Sequence, residues 1–168
     1  KDFRNKEDLI QTVMQRYHKS RNEVLDTEGS VMGPCTVTVG DDMMTVTSEP
    51  RHIIPADVTG TSFAAHPFFE ASSIRKIGNT YYFDIPPFSF LLAEHELCYA
   101  TSDYPDRDFV FGGTIVSNGD VGYQGRAEKD RLNMTGTTHG SIENINGQWY
   151  VFYHRLTHKS DYSRQACA

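Results

Sequence analysis

One ten-residue pattern occurs twice, and it narrows the fold more than any other feature of the chain. Ser73-Ile74-Arg75-Lys76-Ile77-Gly78-Asn79-Thr80-Tyr81-Tyr82 aligns without a gap on Ser141-Ile142-Glu143-Asn144-Ile145-Asn146-Gly147-Gln148-Trp149-Tyr150. Each copy reads as a β-hairpin: an alternating strand, a two-residue Gly-Asn or Asn-Gly turn suited to positive φ, then aromatic residues opening the return strand. Further strands fit within the 68-residue offset. Radially arranged sheets, each contributing an equivalent inner strand to a central channel, would give this repeat. Two ordinary hairpins of a sandwich would give it equally well.

The surrounding texture is that of a mainly β protein with an N-terminal helix. Between Asn5 and Leu25 the chain is charged and places Leu9, Val13 and Tyr17 at four-residue steps, with Asn5 available as a cap, which predicts a helical segment over residues 1–30. Beyond Gly29, short β-branched and aromatic runs alternate with Gly, Asn, Asp and Pro. Strands are predicted over residues 36–39, 43–47, 72–77, 80–85, 96–101, 114–117, 141–145 and 148–154, within a domain spanning 31–168.

Composition excludes several partners. A formal net charge of -6, with no Lys/Arg stripe, argues against nucleic acid and against an anionic membrane surface. No run approaches the length of apolar sequence that spans a bilayer. A neutral ligand fits better, and of the ten Phe, nine Tyr and one Trp, enough to build stacked sheets with rings left over for a ligand-facing surface, most read as core. Cys35, Cys98 and Cys167 form an odd set without short spacing, which reads as buried thiols rather than as a disulfide framework or a zinc site.

Several stretches in order carry a family resemblance. They are Phe68-Phe69-Glu70-Ala71-Ser72-Ser73-Ile74-Arg75-Lys76, His95-Glu96-Leu97-Cys98-Tyr99-Ala100-Thr101-Ser102, Gly112-Gly113-Thr114-Ile115-Val116-Ser117-Asn118-Gly119-Asp120, His139-Gly140-Ser141-Ile142-Glu143 and Gly147-Gln148-Trp149-Tyr150-Val151-Phe152-Tyr153-His154-Arg155. From about residue 31 onward the chain resembles glycoside hydrolase family 43, five-bladed β-propellers acting on arabinose- and xylose-containing polysaccharides such as xylan and arabinoxylan. The resemblance implies a partial propeller of two to three blades, corresponding to the C-terminal portion of the catalytic domain.

What the resemblance implies for individual residues is specific. An inverting reaction in this family uses an Asp base, a Glu acid and an Asp that tunes the acid. Glu70 falls on the acid, where crowding by Phe68 and Phe69 would raise its pKa by desolvation. His139 falls on a channel-floor histidine associated with sugar binding and with a calcium ion. Arg155 matches an arginine that reaches the sugar subsite, and Phe68 is a candidate stacking ring. The base and the tuning aspartate are expected in blades preceding this sequence, with Asp57, Asp103 and Asp120 as substitute carboxylates. The Asn-Asn common before the family's His-Gly-Ser-Ile is replaced by Thr137-Thr138, and Pro86-Pro87 interrupts the strand that normally follows Tyr81-Tyr82-Phe83. The expected partner is an oligo- or polysaccharide substrate, and an incomplete ring of sheets is expected to self-associate. The alternative is a non-catalytic carbohydrate-binding or assembly domain.

Overall fold

A computed structural model describes residues 6–25, 33–55, 58–68, 71–85, 96–133, 138–157 and 164–167. Two compact units divide the chain, Lys1–Thr59 and Gly60–Ala168.

The first unit opens with two helices, α1 (Lys6–Tyr17) and α2 (Arg21–Leu25), where the sequence predicts one. The break falls at His18, whose φ of 54° is left-handed. It is followed at once by a reciprocal cap: the Glu23 N–H donates to Ser20 Oγ and the Ser20 N–H donates to Glu23 Oε2, at 3.3 and 2.7 Å. The Ser-x-x-Glu signal for a second helix start is present in the sequence. Strands β1 (Cys35–Thr36) and β2 (Arg51–His52) form a short antiparallel ribbon. The predicted strands 36–39 and 43–47 reduce mainly to a single bridge between Val39 and Val46. Between them Asp42 Oδ1 accepts from the N–H groups of Met44 and Thr45, and this local turn displaces the ladder.

The second unit is two antiparallel sheets. The first has the order β3 (Ser73–Ile77), β4 (Thr80–Ile85), β5 (Glu96–Ser102) and β6 (Val110–Ser117). The second has the order β7 (His139–Ile145), β8 (Gln148–Leu156) and β9 (Arg164–Cys167). Both repeated hairpins form as predicted, with Ile77 opposite Thr80 and Ile145 opposite Gln148. β6 begins at Val110, four residues before the predicted strand. Gly112 and Gly113 resemble a turn signal, but Gly112 is there for space: a Cβ on it would lie 2.4 Å from the Tyr99 ring.

The two sheets meet through equivalent positions of the repeat. Ser73 Oγ donates to Ser141 Oγ at 3.4 Å, and Arg75 Nε lies 3.6 Å from Glu143 Oε2. Both pairs keep the same offset, so β3 and β7 lie side by side, pointing the same way, as inner strands of neighbouring propeller blades do. Tyr82 and Trp149 rings add a contact at 5.0 Å. Gly140 permits the approach, since a Cβ there would stand 2.7 Å from the Phe152 carbonyl oxygen and 2.8 Å from Leu97 Cδ2.

The junction is closed by a buried carboxyl. Asp84, fully excluded from solvent, accepts the Ile142 N–H on Oδ2 at 2.8 Å. It therefore caps a backbone donor that the ladder to β8 leaves facing the neighbouring sheet. Oδ1 has no hydrogen-bond partner among the described residues. Burial pushes the Asp84 pKa up from 3.8 to about 6, against the opposing pull of the Ile142 N–H and of Arg75. Because the folded chain binds this proton more readily than the unfolded chain, the group favours folding most below about pH 4, and that contribution is lost as pH rises through about 6. Urea midpoints across this range should show a component of about 2–3 kcal/mol that disappears in Asp84→Asn. Asp84→Ala, which also strips the acceptor from Ile142, should be most destabilising below about pH 4 and less so as pH rises through about 6.

Candidate active site

Antiparallel register gathers one end of each strand of the second unit. Ser73 lies opposite Asp84, Ile85 opposite Cys98 and Glu96 opposite Ser117, so the start of β3 shares an end of the sheet with the start of β5 and the finish of β6. In the neighbouring sheet His139 lies opposite His154, one residue before Arg155. Since β3 and β7 run the same way, Ser73, His139 and Arg155 belong to the same end of the two-sheet assembly.

Glu70 and Phe69 lie outside the described residues. The residue that follows them is described, and it is unusual. Ala71 has a φ of 52°, a left-handed conformation that costs a residue with a Cβ about 1 kcal/mol.

Phe68 is half-buried, with its ring stacked 6.2 Å from that of Phe83 and an interplanar angle of 14°. Phe83 in turn meets Phe109 at 5.3 Å, so this ring is anchored in the core of the first sheet. His139 is also half-buried and sets its ring edge-on to His154 at 5.1 Å.

Arg155 is fixed by an ion pair that sequence reasoning had not assigned. Its Nη1 donates to Asp120 Oδ1 at 2.6 Å, drawing the loop after β6 onto β8. Burial opposes charge on the guanidinium, but the hydrogen bond and charge of Asp120 outweigh it, and the Arg155 pKa is raised. Its Nε–H has no hydrogen-bond partner among the described residues, so donor capacity remains after Asp120 is satisfied. Of the substitute carboxylates, Asp120 is thus committed to Arg155, Asp103 follows β5 at the opposite end of the sheet, and Asp57 lies outside the described residues.

A second cluster occupies the other face of the first sheet. Glu96 and Cys98 alternate onto one face of β5, and Thr114 lies opposite Cys98 on β6. His66 Nδ1 approaches Glu96 Oε2 at 3.2 Å, while Cys98 Sγ is 3.5 Å from the same oxygen and 3.3 Å from Thr114 Oγ1. The Cys98 thiol is fully buried, and desolvation pushes its pKa far up. Glu-x-Cys within a strand was a legible sign that two of these groups share a face; nothing local pointed to His66.

Comparison with known proteins identifies the class. No protein-family model matches the chain. A xylosidase/arabinosidase of Thermoclostridium stercorarium is 45% identical over 138 residues, which is 80% of this chain and 28% of that relative. Among solved structures, the RS223 β-xylosidase superposes with a TM-score of 0.56 at 26% identity, covering 84% of this chain and 40% of its own. CoXyl43, a family 43 β-xylosidase/α-arabinofuranosidase from a compost microbial metagenome, described as a calcium-free form in complex with xylotriose, has a TM-score of 0.56 at 25% identity. It covers 88% of this chain and 41% of its own. The chain is homologous to glycoside hydrolases of family 43 and shares part of their β-propeller fold. It spans less than a third of the length of its Thermoclostridium relative.

The Asp120–Arg155 pair can be measured directly. Asp120→Ala, Arg155→Ala and the double variant, compared by urea unfolding, should give a coupling of about 1–2 kcal/mol, since both side chains are largely but not wholly screened from water.

Proposed function

We propose that this chain carries the acid-bearing part of an inverting glycoside hydrolase acting on xylan- or arabinoxylan-type polysaccharide, with Glu70 as the general acid. The observation that supports it best is positional. Arg155, braced by Asp120, stands at the end of the sheet pair where β3 begins, three residues after Glu70. In this reading Glu70 delivers its proton to the leaving glycosidic oxygen, and water attacks from the opposite face of the sugar ring under a base. Arg155 uses its remaining donors on sugar hydroxyls. His139 contributes a hydrogen bond to the same subsite, and the exposed part of the Phe68 ring lies against the sugar.

For calcium the fit is poor. The ion takes six to eight oxygen ligands. His139 offers nitrogen, its ring neighbour is a second imidazole, and the one described group of clustered metal-binding side chains is elsewhere.

Glu70→Gln should lower kcat on aryl-β-xylosides and aryl-α-arabinofuranosides by about 10²–10⁴-fold. The loss should be smallest for leaving groups that depart without protonation. Unchanged hydrolysis would remove Glu70 from the mechanism. The short span relative to the Thermoclostridium relative favours a second reading, sugar binding without turnover, which saturable xylotriose binding by a hydrolytically silent chain would identify.

Self-association belongs to the same proposal. Ile145, Tyr150 and Phe152 are all more than 40% exposed on one face of β7 and β8, an apolar surface that a further sheet would cover. Light scattering across a concentration series should show reversible dimers or larger species, weakened by Tyr150→Ser with Phe152→Ser; a monomer at all concentrations would contradict it.

A further inference from the structure

We infer that His66, Glu96 and Cys98 form a binding site for a zinc-class divalent cation, on the face of the first sheet turned away from the second sheet. The three ligand atoms, His66 Nδ1, Glu96 Oε2 and Cys98 Sγ, all lie within 4.8 Å of one another. The two separations from Glu96 match edges of a coordination tetrahedron. With metal–nitrogen and metal–oxygen bonds of about 2.0 Å and a metal–sulfur bond of about 2.3 Å, tetrahedral angles place N and O about 3.3 Å apart and S and O about 3.5 Å apart. The measured separations are 3.2 Å for His66 to Glu96 and 3.5 Å for Cys98 to Glu96.

The donor set selects the metal. One thiolate, one imidazole and one carboxylate suit zinc, whereas calcium and magnesium require oxygen throughout. The supports are rigid. Glu96 and Cys98 project from one strand and Thr114 braces both from the next, its hydroxyl 3.0 Å from Glu96 Oε2 and 3.3 Å from Cys98 Sγ. The His66 ring is held by stacking on Phe111 at 4.4 Å with an interplanar angle of 8°. Three protein ligands leave a fourth position to water or to the Thr114 hydroxyl.

Binding is chemically balanced without an oxidant or reductant. The Sγ–H bond of Cys98 breaks and its proton passes to solvent as the sulfur–metal bond forms, while His66 binds through Nδ1 and keeps its proton on Nε2. The consequence is structural. His66 lies in the turn from Thr61 that leads towards β3, so the cation would fasten that segment to the interior of the first sheet.

Chelator-stripped protein titrated with zinc against a chromophoric competitor should take up one equivalent per chain. Cobalt in place of zinc should produce a near-ultraviolet sulfur-to-metal charge-transfer band. Cys98→Ser should abolish the band and His66→Gln should weaken zinc binding at least about tenfold, while Cys35→Ser and Cys167→Ser leave both unchanged. Far-ultraviolet circular dichroism identifies any Cys98→Ser protein that fails to fold, and half-exposed His66→Gln then carries the comparison. Absence of the cobalt band in the unmodified chain, or zinc affinity unaltered in folded His66→Gln, would overturn the inference. It would show that these side chains form only a hydrogen-bonded network.

Discussion

The architecture of the second unit turns on one hydrogen bond, from the Ile142 N–H to the buried carboxyl of Asp84. The inner edge of β7 faces a neighbouring sheet rather than a ladder partner, and an unsatisfied backbone donor there would cost about as much as a lost hydrogen bond. Asp84 supplies the acceptor from the adjacent blade. The Ser73–Ser141, Arg75–Glu143 and Tyr82–Trp149 contacts then lie along the same seam. Burying a carboxyl is the cost of this arrangement, and its raised pKa is the visible sign.

From that seam the two faces of the first sheet acquire different work. Tyr82, Asp84, Leu97 and Tyr99 alternate towards the second sheet, with Gly140 of that sheet making room for Leu97 and Gly112 of β6 making room for Tyr99. Phe83, Glu96 and Cys98 alternate to the opposite face, which Phe68, Phe109 and His66 cover. The sugar-facing reading concerns the end of the sheets where β3 begins, and the cation site lies on this second face near the same end, at the start of β5. Period-two alternation is what turns the cation site away from the seam with the second sheet.

Much of this was legible because it is local. The Gly78-Asn79 and Asn146-Gly147 turns specify their hairpins within ten residues each, and both formed in the predicted register. The family resemblance gave the propeller class for the same reason, through short ordered motifs. What escaped sequence reasoning was set by distant partners. The strand predicted from residue 114 begins four residues earlier, at Val110, and runs through Gly112, whose missing side chain makes room for the Tyr99 ring. Asp120 found Arg155 thirty-five residues on, and Asp84 found Ile142 fifty-eight residues on, and neither pairing leaves a mark in the nearby sequence. The helix break before Ser20 was a different case, since its capping box was there to be read. Glu70 lies outside the described residues, so its assignment rests on the motif around it.

The constant offset between facing residues of β3 and β7 also orders events in time. Each hairpin closes a short loop and can form on the scale of microseconds. The seam joins residues 58 to 68 positions apart, so its contacts become rewarding only after a long loop has been closed. The two sheets should therefore assemble independently and dock late, and until Asp84 reaches Ile142 the edge of β7 is open to any strand that arrives first.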